Sequence, residues 1–130
     1  MSNPFPKPSL PNMNESPTGA LRDSKGKLPF SWVPYEIIEA MAAVLYKSSV
    51  AGGGKYPDHN WKKCAEHSVP MDSLLRHSFK RCRGEMTDNE SGLPHSWHML
   101  VNAAFLVYYE QYAPELNNLL PPPKPKPENE

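Results

Sequence analysis

Proline decides where this chain can pack. Its ring locks φ and removes a backbone donor, so dense proline forbids helix interiors and sheet ladders alike. The chain carries 16 prolines in 130 residues, seven of them before residue 35 and five in the last ten positions. A packed core is therefore expected between about residues 30 and 116. Inside that span proline acts as punctuation. Pro34, Pro70 and Pro94 each stand at the head of an apolar periodic run, the first-turn position that tolerates proline best.

Ile37, Ile38, Met41, Val44 and Leu45 recur at helical spacing, which predicts an amphipathic helix from Pro34 to Val50, ended by Gly52-Gly53-Gly54. A second helix opens at Pro70 and stops at Gly84; its inner stripe is predicted as Met71, Leu74, Leu75, Ser78, Phe79 and Cys82, with His77 at the border. The third and longest runs from Pro94 to Tyr112, with Pro114 marking its end. Trp61 to His67 reads as a turn or two of helix, and no strand alternation or internal repeat is visible. The expected fold is all-α: a small bundle of three main helices with long ordered loops and extended proline-rich termini. Residues 1–18 are expected to be an extended or disordered arm, 19–116 a single helical domain, and 117–130 a proline-rich C-terminal tail. That tail either solubilises the chain or docks a protein partner. Three helices bury little surface, so association into a homo-oligomer would supplement the core.

Charge excludes one function class. Lys and Arg total 14 and so do Asp and Glu, which is not the basic excess of a general nucleic-acid binder. No apolar run approaches the roughly 20 residues of a membrane span, and prolines occupy Met1 to Leu10 where a signal peptide would be apolar. A cytoplasmic location is expected. Cys64 and Cys82 form neither a disulfide framework nor a CxxC pair and read as reduced thiols.

The chemistry concentrates late in the chain. His95, His98 and Asn102 fall on one stripe of an otherwise apolar helix. Such a helix is normally buried, and an unsatisfied buried imidazole costs roughly 1–3 kcal/mol. His77 lies on the preceding helix, and Glu85, Asp88 and Glu90 lie between. Imidazoles with carboxylates suit Mn, Fe, Co, Ni or Zn, whereas carboxylates alone would suit Mg. The candidate metal ligands are His77, Asp88, His95 and His98; the candidate catalytic groups are Glu85 and His95. At a helix N-terminus the dipole disfavours imidazolium, which keeps a His95 nitrogen free for metal or proton. The plainer alternative has His77 and His95 bridging helices beside a solvated acidic loop.

Arg76, Lys80 and Arg83 share a helical face that can hold phosphates or simply be solvated. In the loop before the first helix, Asp23, Lys25 and Lys27 offer further contacts, so Arg76, Lys80 and Lys27 are the phosphate candidates. In Lys55-Tyr56-Pro57-Asp58-His59-Asn60-Trp61, Tyr56 and Trp61 can stack a base and Asn60 can bond its edge; equally, Trp61 can staple the loop to the core.

These motifs occur in a telling order. Gly19-Ala20-Leu21-Arg22-Asp23 is followed by Lys55 to Trp61, by Leu75-Arg76-His77, by Gly84-Glu85, by Asp88-Asn89-Glu90-Ser91-Gly92-Leu93-Pro94-His95, and by the His98/Asn102 helix. The set, from about Gly19 to Tyr112, resembles the N-terminal domain of phage dATP/dGTP diphosphohydrolases. The resemblance implies metal-dependent cleavage of purine deoxynucleoside triphosphates between the α and β phosphates, giving monophosphate and pyrophosphate. It also implies a divalent ion (Mg, Mn, Co or Zn) and, for a phage-encoded chain, the host cytoplasm. The chain lacks the ExxE…ExxD helices of MazG-type pyrophosphohydrolases and the adjacent His-Asp pair of HD phosphohydrolases, and Lys62 to Met71 aligns with nothing in the family pattern. The alternative is a non-catalytic nucleotide-binding or protein-interaction module of a phage.

Overall fold

The computed structural model describes residues 13–23, 26–121, 125 and 127. It divides into two compact units, one ending at Ile38 and the other running from Glu39 onward. The arm before residue 13, Lys25, and most of the proline tail with its expected docking role lie outside the described residues.

In the first unit, β1 (Met13–Glu15) pairs antiparallel with β2 (Leu21–Asp23), Met13 opposite Asp23 and Glu15 opposite Leu21. Ser16 makes the turn: its carbonyl accepts the Gly19 N–H at 2.9 Å and its hydroxyl accepts the Ala20 N–H at 3.0 Å. The hairpin departs from the extended arm and loop expected here, because three-residue strands are too short to show an alternation. A 3-10 turn over Phe30–Trp32 leads into α1 (Tyr35–Ser48), which continues into the second unit.

The main helices are α1, α2 (Ser68–Cys82) and α3 (His95–Tyr112), so the all-α class holds. α2 and α3 lie antiparallel, with His67 beside Tyr109 at one end and His77 beside His95 at the other. The buried apolar residues of α3 are Val101, Leu106 and Tyr109, with Ala113 following; Ala40 and Val44 are buried on α1. His67, also buried, donates from Nε2 to the Ala113 carbonyl at 2.9 Å. No described helix is long and apolar enough to cross a membrane.

α2 begins two residues before Pro70 because a distant side chain caps it. Asn118 Oδ1 accepts the Ser68 N–H at 2.9 Å, and the Asn118 amide donates to Ser68 Oγ and Glu66 Oε2, each at 2.8 Å. α2 is also turned relative to the stripe expected from its sequence. Leu75, Phe79 and Cys82 are exposed, and His77 faces α3. An apolar count misplaces this face because a histidine with buried partners belongs inside.

Candidate functional site

Two loops carry the site to the α2–α3 hairpin. After α1 the triglycine turns the chain back on itself: a Cβ at Gly52 or Gly54 would run into the carbonyls of Tyr46 and Ser48. Tyr56 N–H then donates to Ser48 O at 3.1 Å and Val50 N–H to Tyr56 O at 2.8 Å, setting Tyr56 beside the end of α1. Next comes a 3-10 turn, Asn60–Lys63, flanked by two non-glycine residues in the left-handed region, His59 (φ 63°) and Cys64 (φ 65°). Such backbone stores on the order of 1–3 kcal/mol per residue and persists only where the surroundings fix it. Here the anchor is Trp61. Its ring stacks on Phe105 at 5.5 Å and meets Tyr108 edge-on at 4.8 Å. Trp61 thus does the stapling that the sequence allowed as its second role, and Tyr56 is the exposed aromatic of this loop.

The second loop joins α2 to α3. Asp88 N–H donates to Leu93 O and Gly92 N–H to Asp88 O, both at 2.8 Å, with Gly92 at φ 75°, where a Cβ would be strained. Asp88 Oδ2 accepts the Ser91 N–H at 2.8 Å. Met86 O accepts the first amide of α3, that of His95, at 2.9 Å. This lacing brings the acids of the loop against the imidazoles of the helices.

His77 and His95 face each other, Nδ1 to Nδ1, at 2.8 Å. One ligand atom from each of His77, Asp88 and His95 lies within 4.8 Å of the others. Two imidazole nitrogens on one ion at about 2.0–2.1 Å stand about 3 Å apart in cis octahedral positions and about 3.4 Å apart in tetrahedral ones. The observed spacing is close to the first, so a small opening of the pair would seat a divalent ion, with Asp88 as an anionic third ligand. The residues fit a metal.

His98, expected as a fourth ligand, stands outside that cluster. Its ring stacks on His77 at 4.5 Å, 6° from parallel, and its Nε2 lies 2.7 Å from Ser91 Oγ. Ser91 Oγ also accepts the Leu93 N–H at 3.1 Å, so one hydroxyl ties the loop backbone to the His98 ring. Glu85, expected as a catalytic group, is not among the residues lining the cleft; it is half exposed, with Oε2 3.7 Å from His95 Nε2. Stripe arithmetic identifies which residues share a face but not which nitrogen meets which oxygen. The sequence marks Ser91 as a turn residue and part of a motif but gives it no site role, although the Asp-x-x-Ser spacing places it to bond Asp88.

Burial favours the neutral form of His77 and His98. Burial, with the neighbouring His98, lowers His77 to about 4, and burial also lowers His98 against the pull of Asp88. Burial would raise Asp88, but the Ser91 donors, His98 and His77 together hold its carboxyl below the usual range. Neutral imidazole beside ionised carboxylate is the protonation state a cation needs.

The cluster opens on a cleft of about 1040 Å³, near the upper limit of about 1,000 Å³ for ligand pockets. His77, Asp88, His98 and Asn102 line it, together with Arg76, Lys80, Tyr56, Asn60 and Trp61. Its cations are Lys47, Lys55, Lys62, Arg76 and Lys80, against Asp58, Asp88 and Glu90. Lys55 and Glu90 pair at 2.9 Å, joining the two loops. His95 lies behind the lining, fully buried, and Lys27 is exposed in the first unit.

Residues 17–118 match the family model described as dATP/dGTP diphosphohydrolase, N-terminal. No curated protein and no solved structure matches the chain.

Proposed function

The chain belongs to the dATP/dGTP diphosphohydrolase N-terminal family, and from that premise we propose that its cleft binds purine deoxynucleoside triphosphates and hydrolyses them to monophosphate and pyrophosphate with a divalent metal. The observation that carries the proposal is the convergence of His77, Asp88 and His95 on one point at the wall of a large cleft with more cations than carboxylates. In a balanced chain, that local excess of positive charge suits a polyphosphate.

His77, Asp88 and His95 would hold the ion, leaving its other positions to substrate and water. When bound, a divalent ion polarises a phosphoryl oxygen and lowers the pKa of water. Arg76 and Lys80, one helical turn apart on α2, neutralise charge on the transferring phosphates. Tyr56 offers a ring face to the base, and Asn60 offers a donor and an acceptor to its edge. Ser91 fixes Asp88 through its amide and His98 through its hydroxyl, so both stay oriented before substrate arrives. The setting would be phage nucleotide metabolism in the host cytoplasm.

The test is to incubate the protein with dATP and dGTP in the presence of Mg, Mn or Co and to quantify monophosphate and pyrophosphate. Equimolar release of both is expected. No turnover with any of these ions, together with no metal bound by elemental analysis, would contradict the proposal. Two observations favour the second reading, a non-catalytic nucleotide-binding module: the matched family is defined by an N-terminal segment, and Glu85 is not among the residues lining the cleft. Thermal stabilisation by dATP or dGTP without turnover would support it.

A further inference from the structure

The His95 ring is only 1% exposed, and its two nitrogens have different surroundings. Nδ1 lies 2.8 Å from His77 Nδ1. Among the described residues, Nε2 is buried without a hydrogen-bond partner, and the group facing it is the Glu85 carboxylate, with Oε2 at 3.7 Å. A neutral imidazole carries one proton, and beside an anionic oxygen that proton is better placed on Nε2. Nδ1 then keeps its lone pair towards His77, the condition under which it can ligate an ion.

Local structure holds Glu85 at that post. Its amide donates to Lys80 O at 3.1 Å, just past the end of α2, and the next residue, Met86, accepts the His95 amide at 2.9 Å. The carboxylate is 52% exposed and is not among the residues lining the cleft.

We propose that Glu85 is a positioning residue: its carboxylate, facing the orphaned Nε2 of His95 at 3.7 Å, draws the ring proton to that nitrogen and so favours the tautomer that presents Nδ1 to the metal. The proposal rests on the metal reading above. An imidazole oriented in this way is a stronger and better-aimed ligand, and loss of such an outer partner typically costs 10–100-fold in metal affinity. A merely structural Glu85 would alter folding and leave both tautomer and affinity alone.

The experiment titrates full-length, metal-free protein with Co²⁺ alone, following visible absorption and heat. Wild type is compared with Glu85→Ala and Glu85→Gln, and nitrogen-15 NMR of the metal-free proteins reads the His95 tautomer. The expected result is a Co²⁺ affinity about 10–100-fold lower in Glu85→Ala, a smaller loss in Glu85→Gln, whose amide oxygen can still accept, and an Nε2–H tautomer in wild type that loses its preference in Glu85→Ala. If wild type binds Co²⁺ and Glu85→Ala binds as tightly, or if wild-type His95 carries its proton on Nδ1, the role of Glu85 is overturned. A wild type that binds no Co²⁺ overturns the metal reading itself, which is a distinguishable result. Should Glu85→Ala fail to fold by circular dichroism, Glu85→Gln carries the same comparison.

Discussion

His77 is held between two other imidazoles, stacked on His98 and bonded edge-on to His95. Burial, and after it the neighbouring His98, lowers the proton affinity of His77 on folding, to about 4 from the 6.5 of a free side chain. Between those values the unfolded chain binds more protons than the folded one. Stability is therefore full above about pH 6.5 and is lost as pH falls towards about 4. Melting temperature in metal-free buffer should drop across that window, and His77→Phe should flatten the drop; an unchanged profile in that variant would remove His77 as its source. At this scale the sequence was partly legible. Types and spacings singled out His77, Asp88, His95 and His98 as candidate ligands and Glu85 and His95 as candidate catalytic groups, without their mutual geometry. Only three-dimensional placement shows that His98 bonds Ser91 and that Glu85 stands behind His95.

The elements were legible where proline marked them. Pro34 and Pro94 directly precede α1 and α3. Pro70 lies inside α2, since the cap of that helix comes from Asn118, far away in sequence. Asn118→Ala should cost about 1 kcal/mol of stability, as removal of other helix caps does, measured by urea denaturation, with amide exchange fastest in the first turn of α2. The phase of α2 was unreadable for a related reason: its buried face is defined by His77 and its partners rather than by apolar residues. Trp61 works at the same scale. Substituting it with alanine removes half-buried aromatic packing worth on the order of 2 kcal/mol, below the 3–5 kcal/mol of a fully buried aromatic. It should also weaken nucleotide binding, because the strained turn that carries Asn60 loses its anchor. Unchanged affinity in Trp61→Ala would show that the loop is held by other contacts.

Over the whole molecule, charge balance conceals a cleft in which cations outnumber carboxylates. Sequence totals could exclude a general nucleic-acid binder but could not show this asymmetry, since Lys47 and Lys55 come from one end of α1 and its following loop while Arg76 and Lys80 come from α2. Replacing both Arg76 and Lys80 with glutamine should weaken binding of dATP by about tenfold or more, given about 1.5–3 kcal/mol per charged hydrogen bond. The wild-type affinity should also fall with added salt, since the cleft is open to solvent. Equal affinity in the double variant, or none of the salt dependence, would place the triphosphate elsewhere.

The proposed function requires that His77, Asp88 and His95 hold a divalent ion. The most direct measurement is anomalous X-ray diffraction from crystals grown with Mn²⁺ or Co²⁺ and a non-hydrolysable dATP analogue. One anomalous peak is expected about 2 Å from His77 Nδ1, His95 Nδ1 and an Asp88 oxygen, with the analogue's phosphates towards Arg76 and Lys80. A His77–His95 pair still hydrogen-bonded at 2.8 Å, with no peak between the rings and Asp88, would contradict it.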